Sequence, residues 1–350
     1  MRTRRGFTLI EILLAVALLS MLMIGLVRLL DTSLDLWGKT DSERDVLEMG
    51  SDLLEMFARD VATLEGSEDG DLVFDWVKRD ADANGVADLL VPRLVARRQA
   101  DAAELARAGH GQDVDPWSVG MMEVCWVLEP AGGSNPDTRN VGVLSRGERL
   151  TNVDDGTLSF LDERFFRPTG APAPGSVREL SGGVLWFSCA FAAETSLIRN
   201  AWRIGDDLSD CSNAWDAWGR GRPSLEISDW NTPSASVPRN SEALYLPRRV
   251  RVTLELERPQ DLKRRPRVVG TIDPQDLEIP VTHPERIPVE DSFILVGEEW
   301  MEVLSRGSDR INVKRAQRGT RALVFEGGEL VHFGRRLVRD VPIQQGRGEW

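Results

Sequence analysis

The first thirty residues restrict what this chain can become more than any other stretch: MRTRRG is followed by FTLIEILLAVALLSMLMIGLVRLL. Arg2, Arg4 and Arg5 precede a glycine, Gly6, and from Phe7 to Val27 the only charged residue is Glu11. A secretory signal has a basic start, a short apolar run and then a small-residue cleavage site. Here the order is reversed, because the small residue stands before the apolar run and the run continues into Arg28, Leu29 and Leu30. About 20 apolar residues in a helix cover the hydrocarbon core of a bilayer, so the segment is long enough to remain in the membrane. The arginines predict a cytoplasmic N-terminus and hence an extracytoplasmic body.

A carboxylate within a membrane is costly and is by default a functional hypothesis. Glu11 sits near the cytoplasmic interface, where snorkelling lowers that cost. The string Gly6-Phe7-Thr8-Leu9-Ile10-Glu11 followed by an apolar run resembles the class III signal of type IV pilins and type II secretion pseudopilins. The resemblance implies that a prepilin peptidase cuts between Gly6 and Phe7 and that Phe7 is then N-methylated. It also implies that Glu11 pairs with the N-terminal amine of a neighbouring subunit. The physics is consistent, since a buried carboxylate is tolerable when a partner supplies the cation.

Helical periodicity continues past the membrane segment. Leu47, Leu54 and Val61 recur at a spacing of seven, as do Gly50, Phe57 and Leu64, which predicts a helix from Phe7 to Leu64. Residues 1–6 would be a leader, 7–30 a transmembrane helix, and 31–65 an amphipathic helix packing on a globular head. Gly38 and Gly50 each weaken this helix by roughly 1 kcal/mol relative to Ala. The segment Leu53–Val61 resembles the head-packing helix of J-class minor pseudopilins, and Leu246–Leu254 resembles their late strand.

Short strands are expected at Asp71–Val77 and Leu89–Val95, flanking Asp80-Ala81-Asp82-Ala83-Asn84-Gly85-Val86-Ala87-Asp88. Oxygen-bearing side chains at alternate positions with a glycine at the sharp turn follow the ligand logic of an EF-hand loop, and Ca²⁺ takes such hard oxygens. Asp80, Asp82, Asn84 and Asp88 are therefore candidate calcium ligands. Val91 stands where the bidentate Glu would be, and the same residue types also form bare turns. Both readings stay open.

Gln99–Gly109 reads as a short helix, and strands follow at Val119–Leu128, Val141–Leu150, Val184–Phe191 and Arg249–Leu256. The last alternates most regularly, with one face expected in the core and the other wet. Residues 71–257 thus form a mainly antiparallel β head behind a long helix, an α+β architecture. Trp202, Trp215, Trp218 and Trp230 mark a loop whose expected role is packing, with a binding surface as the alternative. Residues 258–286, with Lys263, Arg264, Arg265 and Arg267, read as a basic, proline-containing linker. Residues 287–343 read as a small all-β module: Gly297-Glu298-Glu299-Trp300 before Arg315-Ala316-Gln317-Arg318-Gly319-Thr320 resembles a module of bacteriophage tail and baseplate proteins. Ala316 replaces the first glycine of that module's turn.

Of the three cysteines, Cys125 reads as a buried thiol, while Cys189 and Cys211 are a candidate disulfide pair in an oxidising compartment. His110, His283 and His332 fall in no nucleophile or metal pattern, and no phosphate-binding or dinucleotide motif is present. A net charge of −13 argues against a nucleic-acid partner. The reading is a non-enzymatic minor pseudopilin of the bacterial inner membrane. Its partners would be other minor and major pseudopilins, prepilin peptidase, the inner-membrane assembly platform and membrane lipid. Adhesive minor pilin and tethered enzyme are the alternatives.

Overall fold

The computed structural model describes residues 9–79, 89–107, 120–132, 135, 137–138, 140–151, 159–162, 177–192, 214–218, 244–257, 265–289 and 292–343. Two compact units are present, Met1–Glu48 and Met49–Trp350. One helix, α1 (Leu9–Ala62), spans 54 residues and close to the range that the periodicity predicts.

In the first unit α1 is apolar on every side along residues 13–27. Leu18, Leu19, Met21, Leu22, Met23 and Ile24 are all more than half exposed, and at about 100° per residue such a run encircles the helix. Two hydroxyls in this part bond back to the helix, Ser20 Oγ to the carbonyl of Val16 and Thr32 Oγ1 to that of Arg28, each at 2.8 Å.

In the second unit α1 is one-sided from Met49 onward. Leu53, Leu54, Phe57, Ala58, Asp60 and Val61 are buried, while Ser51, Asp52, Glu55 and Arg59 are exposed. The buried side packs on an antiparallel sheet built from β1 (Asp71–Arg79), β2 (Leu89–Ala100), β3 (Gly120–Pro130), β4 (Gly142–Leu150), β5 (Val177–Ala192), β6 (Trp215–Asp216), β7 (Arg249–Leu256) and β13 (Arg335–Pro342). The strand order is β13-β7-β5-β4-β3-β2-β1-β6. Phe57 stands edge-on to Trp126 (5.4 Å between centroids) and to Phe187 (5.6 Å), which seats the helix on the central strands. Aromatic pairs of this geometry contribute about 0.5–1.5 kcal/mol beyond their buried area.

Helix and sheet also approach very closely at one place. A Cβ on Gly50 would lie 2.1 Å from Leu337 Cδ1 and 2.9 Å from Leu256 Cδ1.

A second sheet has the order β12-β9-β10-β11-β8, from β8 (Glu278–Pro280), β9 (Phe293–Val296), β10 (Glu299–Arg306), β11 (Arg310–Gln317) and β12 (Val331–His332). Its core contains Val268, Ile272, Ile279, Val281, Ile294, Met301, Val313 and Phe325.

Several expectations need correction. The chain is β-rich, and α2 (Ala102–Arg107) is the only other α-helix among the described residues. Residues 265–286 are not a free linker, because Val268, Ile272, Ile279 and Val281 fill the second core and β8 pairs with β11. The small module also stops short of residue 343, since β13 returns to the large sheet and pairs with β7 from Arg335 to Pro342. Finally, the polar face of β7 is not wet: Arg251, Thr253 and Glu255 are all under 9% exposed.

On this face the buried charges Arg251, Glu255 and Glu257 each have a partner. Arg251 donates to Asp340 on β13 at 2.7 and 3.0 Å. Glu255 accepts from Arg318 in the turn after β11, 2.9 Å to Nη1, and the Arg318 guanidinium lies 4.1–4.3 Å from the ring centroids of Phe293, Trp300 and Trp186. Glu257 pairs with Arg265 and with His332 Nδ1. Arg267 forms a fork on Asp137, 2.9 and 3.3 Å, so two arginines of the expected linker join the sheets.

Candidate functional site

The sequence places its most specific chemistry at Gly6, Phe7 and Glu11. Gly6 and Phe7 lie outside the described residues, and so does the side chain of Glu11, whose backbone lies in α1. What is described beside them is the apolar surface of α1, from Leu9 (77% exposed) and Ile10 (74%) to Leu30 (50%). A helix that is apolar all round is stable only when other helices or lipid surround it. Exposed apolar surface of this continuity marks a membrane or protein contact. No helix of the described residues is by itself long and apolar enough to cross a membrane. The described side chains there omit Glu11, Ile12 and Ala15, and the full run from Phe7 to Val27 contains a single charge.

The calcium candidates Asp80, Asp82, Asn84 and Asp88 fall outside the described residues. Their flanks are described: β1 and β2 pair antiparallel up to Arg79 opposite Leu89. The segment therefore connects a hairpin, where an EF-hand loop would connect two helices. Among the described residues no group of His, Cys, Asp and Glu side chains is arranged to hold a metal.

Several other described titratable groups are buried in the fold. Cys125 and Cys189 are free buried thiols. Burial pushes the Cys125 pKa up to about 12 and that of Cys189 well above the thiol range, so neither supplies a thiolate near neutral pH. Cys211, the expected partner of Cys189, lies outside the described residues. His332 is held neutral, its pKa lowered to about 4 by burial and by the neighbouring Arg265 charge. His283 is exposed beside Glu285 at 3.1 Å.

Trp215 Nε1 donates to the carbonyl of Tyr245, and Trp218 Nε1 donates to that of Gly70, each at 3.1 Å. These two tryptophans pack into the fold; Trp202 and Trp230 lie outside the described residues.

Sequence reading missed a network of buried ions beneath α1. Asp60 is fully buried and accepts from Trp126 Nε1 at 2.9 Å and from Arg146 at 2.7 and 2.9 Å, with Arg98 Nε 3.1 Å away. Burial disfavours the charge on Arg146, but the carboxylates of Asp60 and Glu148 outweigh it and hold its pKa above the usual arginine value. Arg98 also forks onto Glu104 at 2.8 and 3.0 Å. These ions fix the seat of the helix on the sheet; every described carboxylate oxygen of Asp60 is occupied by a donor, which leaves it no free acid or base role.

Among known proteins, the family model described as the prokaryotic N-terminal methylation motif matches residues 1–27. No curated protein and no solved structure matches the chain. The matched stretch contains Gly6, Phe7, Glu11 and the apolar run, and it supports a membrane-anchored protein of pilin or pseudopilin type that serves a secretion or pilus system.

Proposed function

We propose that this chain is a minor pseudopilin, a structural subunit that enters a pseudopilus or pilus through its N-terminal helix. The observation that carries this reading is the methylation motif at residues 1–27, continuous with a helix that is apolar on every side. In this reading prepilin peptidase cuts between Gly6 and Phe7, Phe7 is N-methylated, and Phe7–Leu30 spans the inner membrane with its N-terminus in the cytoplasm. Glu11 then accepts the N-terminal amine of a neighbouring subunit, which offsets the cost of its charge in lipid. Partners are the other minor and major pseudopilins, the peptidase and the inner-membrane assembly platform. The size of the unit from Met49 to Trp350 would crowd a uniform fibre, which favours a position at the tip or at initiation. The hairpin connection from Asp80 to Asp88 is retained as a Ca²⁺ site of the extracytoplasmic body.

The test is Glu11→Ala in the native host. The variant is expected to fractionate with the membrane and to be processed, yet to be missing from assembled fibres and from complexes with neighbouring subunits. Incorporation at the wild-type level would overturn the assembly mechanism.

A further inference from the structure

We propose that the outer edge of β13 is a docking site for an extended acidic segment of a partner protein, which joins the large sheet as a ninth strand. β13 pairs with β7 along one side and stands last in the strand order. Its other side therefore presents the alternate backbone N–H and C=O groups of an eight-residue strand with no ladder partner among the described residues. At the opposite edge β6 pairs with β1 at Val73 and Phe74 alone.

Backbone groups supply affinity in strand addition, and side chains supply the choice of partner. Arg335 and Arg336 are exposed and form no ion pair among the described residues; Arg336 stands opposite Glu255, which Arg318 already holds. Arg339 meets Glu55 at 3.6 Å, with both groups well exposed. Asp340, the one acid on the strand, is already engaged by Arg251. The edge is thus cationic in a chain of net charge −13. Side chains alternate along a strand, so Arg335 and Arg339 share the face of Leu337, which lies against Gly50, and Arg336 is on the other face. The matching occupant carries two carboxylates four residues apart on one face and a third between them on the other.

A groove of about 600 Å³ runs between α1 and β13; Met56, Ala58, Val341 and Pro342 form its apolar lining, and the helix adds Asp52, Glu55 and Arg59, so the acids of the occupant are best met at the Arg335–Arg336 end of the strand. It accepts apolar side chains of the added strand on the face that meets the helix. A second copy of this chain is a poor occupant, because its β13 would bring three more arginines to the join and no free acid. Like charges across a ladder are destabilising. The inference stands on the edge strand alone and does not depend on the reading of the N-terminal helix.

The experiment titrates the full-length protein in detergent with a fluorescent peptide of alternating valine and threonine that carries three glutamates at the matching positions. Binding is expected, with new hydrogen-exchange protection confined to β13. Arg335→Glu/Arg336→Glu should weaken that binding by about tenfold or more, and should admit the same peptide with lysines in place of glutamates. On the unaltered protein the lysine peptide and a backbone N-methylated glutamate peptide should both fail to bind. Absence of binding by the glutamate peptide at millimolar concentration overturns the proposal, as does equal binding by the lysine peptide. Equal binding by the N-methylated peptide shows charge attraction without strand addition and overturns it as well.

Discussion

Asp60 is an ordinary-looking acid in an amphipathic pattern, yet it is the residue whose loss should cost the fold most. Its three hydrogen bonds and one further ion-pair contact come from positions 98, 126 and 146, so no local spacing in the sequence marks it. Buried ion pairs contribute little net stability, but removing one partner strands the other charge, at a cost of about 3–5 kcal/mol. Asp60→Ala is expected to fall in that range, because Arg98 and Arg146 would then face each other beneath the helix. Asp60→Asn, which keeps the shape and one acceptor, should cost less; denaturant unfolding midpoints of the two variants measure the difference. Ala316 behaves in the opposite sense. The resemblance to a phage-type module marked it as standing where a glycine belongs, and its φ of 56° lies in the left-handed region, as does that of Arg318 at 54°. A left-handed L-residue costs roughly 1–2 kcal/mol, partly offset in glycine by chain entropy. Ala316→Gly is expected to raise stability by about 0.5–1 kcal/mol in the same measurement, and a loss of stability would show that Cβ contacts outweigh the strain.

Among elements, the long helix and the strands with regular alternation were legible because their signals are local. β7 was expected at Arg249–Leu256 and is found there. Its second face was not legible, since whether Arg251 and Glu255 meet water or distant ion partners depends on strands over sixty residues away. β13 was missed for a related reason: its run of Arg335, Arg336, Arg339 and Asp340 hides the alternation of Leu337 and Val341. Gly50 reads in sequence as a weak point of the helix, whereas its lack of a Cβ admits Leu337 and Leu256 against the backbone. The β1–β2 hairpin poses the question that sequence left open. If the Asp80–Asp88 connection binds Ca²⁺, the ligand favours the native state by RT ln(1 + [L]/Kd), about 2.7 kcal/mol at a hundredfold excess over Kd. The melting temperature in saturating Ca²⁺ should then exceed that in chelator by several degrees, and Asp82→Ala should abolish the difference. Identical melting curves in Ca²⁺ and chelator would leave a bare turn.

For the molecule as a whole, the sequence suggested a body, a linker and an appended module, but the chain leaves the large sheet after β7, builds the smaller sheet, and returns as β13. The two sheets are thereby closed into one unit, and Arg318 stands at their contact. It is paired to Glu255 and enclosed by Trp186, Phe293 and Trp300. Burial pulls its pKa below the usual arginine value while the Glu255 carboxylate pulls it back up, so the cation depends on its acid partner. Arg318→Leu removes the cation from three rings and leaves Glu255, itself 4% exposed, as a buried carboxylate without its arginine. A loss of about 3–5 kcal/mol is expected. Pairing the change with Glu255→Gln removes the stranded charge, so Arg318→Leu/Glu255→Gln should be more stable than Arg318→Leu alone. The coupling in a double-mutant cycle, on the order of 0.5–3 kcal/mol for residues in contact, measures that recovery. Trp186 of the large sheet and Trp300 of the smaller one stand edge-to-face at 5.6 Å, so the change in tryptophan fluorescence that Trp300→Phe removes during denaturant unfolding reports on their contact. If the single variants simply add, the pair does not couple the sheets, and the joining would rest instead on Arg265 and Glu257.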